Sequence, residues 1–316
     1  NPCNGKGVCG KCRVKIRKGE LSEPTETERK LLKQEELQEG VRLSCLVKPE
    51  NDLEIELLQK ERKHEVLTSG YVPKFEFDVD IRKQVIEIHK PSLEDQTSYE
   101  DQIKKQTGGE LLFRGMKNAK FQSGKATAVL HGSYVIQIEE GDTTDSLYGV
   151  AVDIGTTTVV CTLIDMLTGK ELANTSMINA QKHFGLDVLT RISYELEHPE
   201  DGVEKLQKTI VDSMNDMIAD ACHQAGVARN EIYEIAVGAN CTMMHMLLGV
   251  DATSIGKAPY APMFVRAKDI RASEIGIHVA EGARLYCLPS VSAYIGADIV
   301  AGAYVCKLKK EKGNVL

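Results

Sequence analysis

Three cysteines fall within the first twelve residues: Cys3, Cys9 and Cys12, with glycines at 5, 7 and 10 between them. A fourth, Cys45, follows a segment that reads as folded, and the full spacing is C-x5-C-x2-C-x32-C. Four thiolates suit a [2Fe-2S] cluster, two sulfurs per iron. Glycines let backbone N–H groups approach a compact, negatively charged object, because positive φ costs them nothing sterically. A structural zinc site would show two matched C-x2-C pairs, and here only Cys9 and Cys12 make one. A disulfide framework belongs to short secreted chains, not to one of 316 residues. The spacing ranks the cluster first, zinc second, and disulfides or inert thiols last.

A second stretch with chemistry in it runs from Gly149 to Asp165. Two apolar, β-rich runs are joined there by Gly155-Thr156-Thr157-Thr158. A hairpin turn of this kind can take a phosphate. Gly155 admits an oxyanion close to the backbone, and the threonine hydroxyls and N–H groups donate to it. Asp153, at the strand end, is placed to hold Mg²⁺ through water. An ordinary hairpin with a Thr-rich turn has the same pattern. Further on, Gly238-Ala239-Asn240 joins a strand to a helix. Such a junction can point helix N–H groups at an anion, but Asn240 is first read as an N-cap. His245 reads as packed in that helix, and His89 and His131 as isolated. No residue stands out as a catalytic acid or base.

The elements that must position these loops follow from hydrophobic period and turn residues. Arg13 to Arg17 alternates as a strand, and Thr25 with Glu28 forms a capping box ahead of Leu31 and Leu32. Gly40 ends a short helical turn. Val41 to Val47 reads as a strand that presents Cys45, and Leu53 to Leu57 as a closing strand. Gln59 to His64 is a charged linker. Beyond it, Phe75–Ile81 and Gln84–Ile88 read as strands, Ser98–Gln106 as a polar helix, and Ala126–Ile138 as two strands around His131-Gly132. A helix begins in the stretch from Leu186, and Val203 to Cys222 is a long amphipathic helix stopped by Gly226. Ile232–Val237 is a strand, Thr242–Leu248 a helix ended by Gly249, and Ile295–Ala303 a small-residue helix suited to close packing.

The net charge is −7, with a pI near 5.7. There is no basic field to neutralise phosphates, so nucleic acid is not expected as the main partner. Five further cysteines are scattered singly: Cys161, Cys222, Cys241, Cys287 and Cys306. They sit in apolar settings and read as reduced core residues, which fits a cytoplasmic protein. The apolar run Leu288–Leu308 carries Asp298, so a buried helix is expected there and no membrane span.

The cysteine loop, with one residue more than the plant-type C-x4-C-x2-C, resembles that of the ferredoxins of the adrenodoxin type. Four other stretches accompany it in order. They are Lys90-Pro-Ser-Leu-Glu-Asp-Gln96, Val152-Asp-Ile-Gly-Thr-Thr-Thr158, Gly238-Ala-Asn240 with His245, and Gly296-Ala-Asp298. In these features the chain resembles the reductive activators of corrinoid proteins. Those resemble ferredoxins fused to an ATPase of the superfamily holding actin, sugar kinases and heat-shock chaperones.

The resemblance implies a multidomain α+β and α/β chain. Residues 1–60 would be a partial, β-grasp-like [2Fe-2S] ferredoxin, 61–74 a linker and 75–147 a small α/β middle domain. Residues 148–316 would be the first half of an actin-like (ribonuclease H-like) ATPase domain. Cys3, Cys9, Cys12 and Cys45 would hold the cluster. Asp153, Gly155, Thr156, Thr157 and Thr158 would form the first phosphate loop for ATP and Mg²⁺. The implied activity is ATP-dependent return of a corrinoid from Co(II) to Co(I). Its partners would be a corrinoid protein or corrinoid methyltransferase and an upstream electron donor, and a homodimer is possible. The superfamily also needs a second Asp-Gly-Thr loop and a Gly-rich adenosine segment, which this sequence lacks. The expectation is therefore a fragment, short of the start of the ferredoxin and of half the ATPase, with a new strand beginning at Asn314–Leu316. A plain electron carrier with an appended docking domain is the competing reading. A metabolite kinase with a structural metal is a third, which the loop from Cys3 to Cys12 disfavours.

Overall fold

A computed structural model of the chain describes residues 7–8, 10–19, 22–49, 51–58, 78–117 and 121–308. Cys3, Cys9, the linker expected at 61–74, the strand start at Phe75 and the run Asn314–Leu316 lie outside the described residues.

The cysteine-bearing unit begins with β1 (Arg13–Lys18), followed by α1 (Glu26–Leu31), α2 (Gln34–Gln38), β2 (Val41–Leu43) and β3 (Glu54–Leu57). Its sheet has the order β2-β1-β3, all antiparallel. The capping box at Thr25 and Glu28 forms. Buried Leu32, Val41 and Leu43 make the core, with Leu31 and Leu37 against them. So small a core is reinforced by a buried ion pair. Glu28 accepts from Arg42 Nε at 3.0 Å and Nη2 at 2.9 Å, and from the Leu43 N–H at 3.0 Å. Burial alone would raise the Glu28 pKa. The bonds from Arg42, Thr25 and Leu43 outweigh it and hold the carboxyl at about 2. The strand expected over Val41–Val47 stops at Leu43, because the Leu46 and Val47 N–H groups turn back to the Leu43 carbonyl.

The second unit consists of β4 (Ile81–Ile88), α3 (Tyr99–Thr107), β5 (Glu110–Leu111), α4 (Phe113–Met116), β6 (Gly124–His131) and β7 (Tyr134–Glu140). The strand order is β4-β6-β7-β5. Two separate strands were expected across Phe75–Ile88, broken at Arg82-Lys83. Of the first, residues 78–80 are not strand and only Ile81 enters β4, which then runs unbroken to Ile88, since the Lys83 side chain is buried and neutralised by Glu139 at 2.7 Å. Period-two alternation gives this sheet two apolar faces. Ile86, Ile88, Ala128 and Leu130 pack around Ile103 of α3, while Ile81, Val129 and Ile136 join the main core of the next unit.

That main unit contains β8 (Tyr148–Ile154), β9 (Thr158–Asp165), β10 (Lys170–Ile178), α5 (Val188–Glu197), α6 (Gly202–Ala225), β11 (Ile232–Ala239), α7 (Cys241–Leu248), β12 (Lys268–Arg271), β13 (Arg284–Cys287) and α8 (Ala297–Val305). Its sheet has the order β10-β9-β8-β11-β13-β12. β8, β11 and β13 run parallel, and β9, β10 and β12 antiparallel to their neighbours. The helical stripe of α6 buries Leu206, Ile210, Met214, Met217 and Ile218 against this sheet, so its methionines fill core. Cys161, Cys222, Cys241 and Cys287 are buried, as expected. Cys306 is not: it is exposed, because α8 packs by its first residue, Ala297, while Ile299 and Tyr304 face outward. The close packing expected along α8 is thus confined to its start. Among the described residues no helix is long and apolar enough to cross a membrane.

Candidate functional site

Cys12 directly precedes β1, and Cys45 lies in the turn just after β2. The β1–β2 register pairs Arg13 with Leu43, and the Ser44 N–H donates to the Cys12 carbonyl at 2.9 Å. Residues 33 apart in sequence thereby bring their Sγ atoms to 3.2 Å, both half-buried. That is well beyond an S–S bond of about 2.05 Å. Burial pushes the Cys12 thiol up, but hydrogen bonds from the Cys45 backbone and thiol and from Ser44 outweigh it and lower the pKa. Gly10, with φ 62°, turns the loop above Leu31. Two adjacent thiols, one of them the acidified Cys12 beside the Gly10 turn, fit two ligands of one metal centre.

The second site lies at the carboxyl ends of β8 and β11, where Asp153 pairs in register with Gly238 and Ile154 with Ala239. Four segments converge there. Asp153 ends β8, and residues 155–158 form the turn into β9. Asn240 caps α7, accepting from the Met243 N–H at 2.9 Å, and its Nδ2 donates to Thr156 Oγ1 at 3.2 Å. Asn240 therefore caps its helix and also reaches the turn between β8 and β9. Gly296 opens α8 so close to α7 that a Cβ would come within 2.5 Å of Asn240 Cα and 2.6 Å of Asp298 Oδ1. Desolvation by the surrounding protein, and then the Asp298 carboxylate, raise Asp153 above the ordinary carboxylate range. Two carboxylates crowded in this way favour a cation between them.

Every carbonyl of the turn is held from within the protein. Gly155 O accepts from Asn179 Nδ2 at 2.9 Å, and Thr156 O from Arg191 Nη2 at 2.6 Å. Thr157 O accepts from the Asn179 N–H at 2.8 Å, and Thr158 O from the Gly155 N–H at 2.9 Å. A Cβ on Gly155 would sit 2.7 Å from that Thr158 oxygen, so the turn closes only around glycine. With the carbonyls clamped inward, the N–H groups of Thr156 and Thr157 are left without a protein acceptor among the described residues. Such a nest of free N–H groups binds anions. Asn179, Gln181 and Arg191 carry this arrangement, and sequence reasoning did not single them out. All three are fully buried. His245, also buried, donates from Nδ1 to the Cys241 carbonyl at 2.8 Å and accepts the Met263 N–H at Nε2. It is packed, as expected.

Comparison with known proteins adds to this geometry. Residues 148–311 match the family model described as the RACo middle region, and residues 1–50 match that of the 2Fe-2S iron-sulfur cluster binding domain. The corrinoid activation enzyme RamQ of Eubacterium limosum is 26% identical over 324 residues, covering 95% of this chain and 49% of RamQ. The solved structure of a reductive activator for corrinoid, iron-sulfur protein superposes with a TM-score of 0.65 at 31% identity, covering 99% of this chain and 53% of that one. A component of the Na(+)-translocating NADH-quinone reductase of Chlamydia felis is 40% identical over 60 residues, which cover 19% of this chain and 14% of that component. The chain spans about half the length of the two relatives it matches throughout.

Proposed function

The chain belongs to the family of reductive activators of corrinoid proteins, and from that premise we propose that it serves ATP-dependent reduction of a corrinoid protein from Co(II) to Co(I). A [2Fe-2S] cluster held by Cys3, Cys9, Cys12 and Cys45 would supply a store for one electron. The β1–β2 pairing that brings Cys12 to Cys45 supports two of these ligands. Cobalt reduction consumes one electron per corrinoid. Each ~59 mV by which the donor falls short costs about 1.4 kcal/mol, which calls for an energy source.

The turn with its carbonyls clamped inward carries the nucleotide part of this reading. In it Thr156 and Thr157 offer N–H groups to phosphate oxygens, and Asp153, facing Asp298, holds Mg²⁺ through water. The strand order, with β9 and β10 beside the three parallel strands on one edge and β12 antiparallel on the other, supports assignment of residues 148–316 to an actin-like domain. The units at 1–60 and 75–147 would flank the linker 61–74. The corrinoid partner, whether carrier protein or methyltransferase, and an upstream electron donor complete the scheme in a reducing cytoplasm.

The test uses the full-length protein with a Co(II) corrinoid protein and a low-potential donor. Formation of Co(I) is followed by its visible spectrum, with and without MgATP. Formation that requires MgATP is the expected outcome. Equal formation without nucleotide would leave a plain [2Fe-2S] electron carrier with a docking domain.

A further inference from the structure

Arg191, on α5, is fully buried, yet no carboxylate pairs with it among the described residues. Its guanidinium donates to the Gly185 carbonyl at 2.9 Å, to Gln181 Oε1 at 3.2 Å and to the Thr156 carbonyl at 2.6 Å, and it touches Met243 Sδ at 2.9 Å. All of these are neutral acceptors. Asp187, the carboxylate that acts on it electrostatically, is occupied as the N-cap of α5 by the Thr190 N–H and hydroxyl. Burial lowers the Arg191 pKa to about 10, which leaves it charged at neutral pH.

An uncompensated buried cation is costly, and neutral side chains would satisfy the same carbonyls more cheaply. The charge lies on the protein side of a turn whose free N–H groups face the other way. A polyanion bound at those N–H groups would supply the missing counter-charge.

Resting on the ATP reading above, we propose that Arg191 is the positioning residue of the phosphate turn. It holds the Thr156 carbonyl inward, so that the neighbouring N–H groups face phosphate, and it supplies the positive charge behind them. Gln181 orients Arg191 in turn, its Nε2 being fixed by the Leu206 carbonyl at 2.9 Å. Recognition by this turn is therefore of the polyphosphate.

Full-length wild-type, Arg191→Gln and Arg191→Lys proteins are titrated with MgATP, inorganic tripolyphosphate and adenosine, and their melting temperatures are measured without ligand. Arg191→Gln should weaken tripolyphosphate and MgATP by about tenfold or more, the loss of a charge-assisted contact. Its adenosine affinity and ligand-free melting temperature should stay at the wild-type level. Arg191→Lys keeps the charge and should bind tripolyphosphate within about fivefold of wild type. A purely structural arginine would instead lower the ligand-free melting temperature and weaken all three ligands together, which would overturn the proposal. So would wild-type tripolyphosphate affinity in Arg191→Gln. Should Arg191→Gln not fold, Arg191→Lys decides: a folded protein with a tenfold loss refutes the role of the charge. A wild-type protein that binds neither MgATP nor tripolyphosphate overturns the ATP reading and this proposal with it, whereas wild-type binding with unaltered variants removes this proposal alone.

Discussion

The two candidate sites are built in opposite ways. At Cys12 and Cys45 the chemistry is in the side chains, and the surrounding structure is slight: among the described residues a cluster of Leu32, Val41 and Leu43, with Val14 also buried, and one buried ion pair, Glu28–Arg42. At the phosphate turn the chemistry is in backbone N–H groups. The residues of the turn itself are merely permissive, and the determinants lie elsewhere, with Asn179 and Arg191 reaching in from 24 and 35 residues away. A thiolate cannot be replaced, whereas an N–H can be supplied by any residue whose backbone is correctly turned. Mutations should therefore act all-or-none at the first site and by degrees at the second.

The largest expected effect is at the cysteines. Cys45→Ser in full-length protein should abolish the visible cluster absorbance, while Cys306→Ser, at an exposed position, should leave it intact. Retained absorbance at full iron content in Cys45→Ser would break the contrast at its root. Next is Glu28→Gln, which leaves Arg42 buried without its counter-charge. Breaking a buried pair costs about 3–5 kcal/mol, which chemical denaturation of the cysteine-bearing unit should register. Because the folded-state pKa of Glu28 is depressed to about 2, its contribution is present above the unfolded value near 4.5 and is lost as pH falls from there toward 2.

Glu195, one turn beyond Arg191 on α5, has the opposite sign. Burial raises it to about 7, the Ala252 N–H bonding one oxygen at 2.9 Å while the other has no hydrogen-bond partner among the described residues. The fold is favoured while Glu195 holds its proton and loses on the order of 3 kcal/mol as pH rises from about 4.5 through 7. The melting temperature of the wild type should accordingly fall between pH 5 and 8, and Glu195→Gln should flatten that slope. The smallest effect is expected from Asn179→Ala, which removes the side-chain bond to Gly155 O but keeps the backbone bond to Thr157 O. A loss of about 1–3 kcal/mol in MgATP affinity, read by titration, would place the turn where the contrast puts it. Loss of all binding would make Asn179 as irreplaceable as a thiolate.

The same contrast governs how much could be read in advance. Cysteine spacing is a side-chain signal and is visible in the sequence, as are the alternating strands and the stripe of α6. Asp153 and the Gly-Thr run are visible as a hairpin turn, because turns have compositional signatures. The clamp beneath the turn has none. Arg191 and Glu195 stand at i and i+4, a spacing that suggests an exposed ion pair. In the structure they lie on the buried face of α5 and serve different partners, Thr156 and Ala252. Tertiary burial, not local spacing, assigns their roles. Likewise at β4, Arg82-Lys83 reads as a break until Glu139, on a strand more than fifty residues later, neutralises Lys83.

That same Glu139 accepts from the Tyr233 hydroxyl at 2.6 Å, and Tyr233 is the second residue of β11, the strand that ends one residue before Asn240. β11 is central, paired on both sides, and about 26 Å long. It is thus a stiff spoke, with the four-stranded sheet pinned at its hub and the phosphate turn at its rim. Through the Tyr233–Glu139 bond, occupancy of the turn is expected to slow amide exchange in β7 as well as β11, including residues that never touch the ligand.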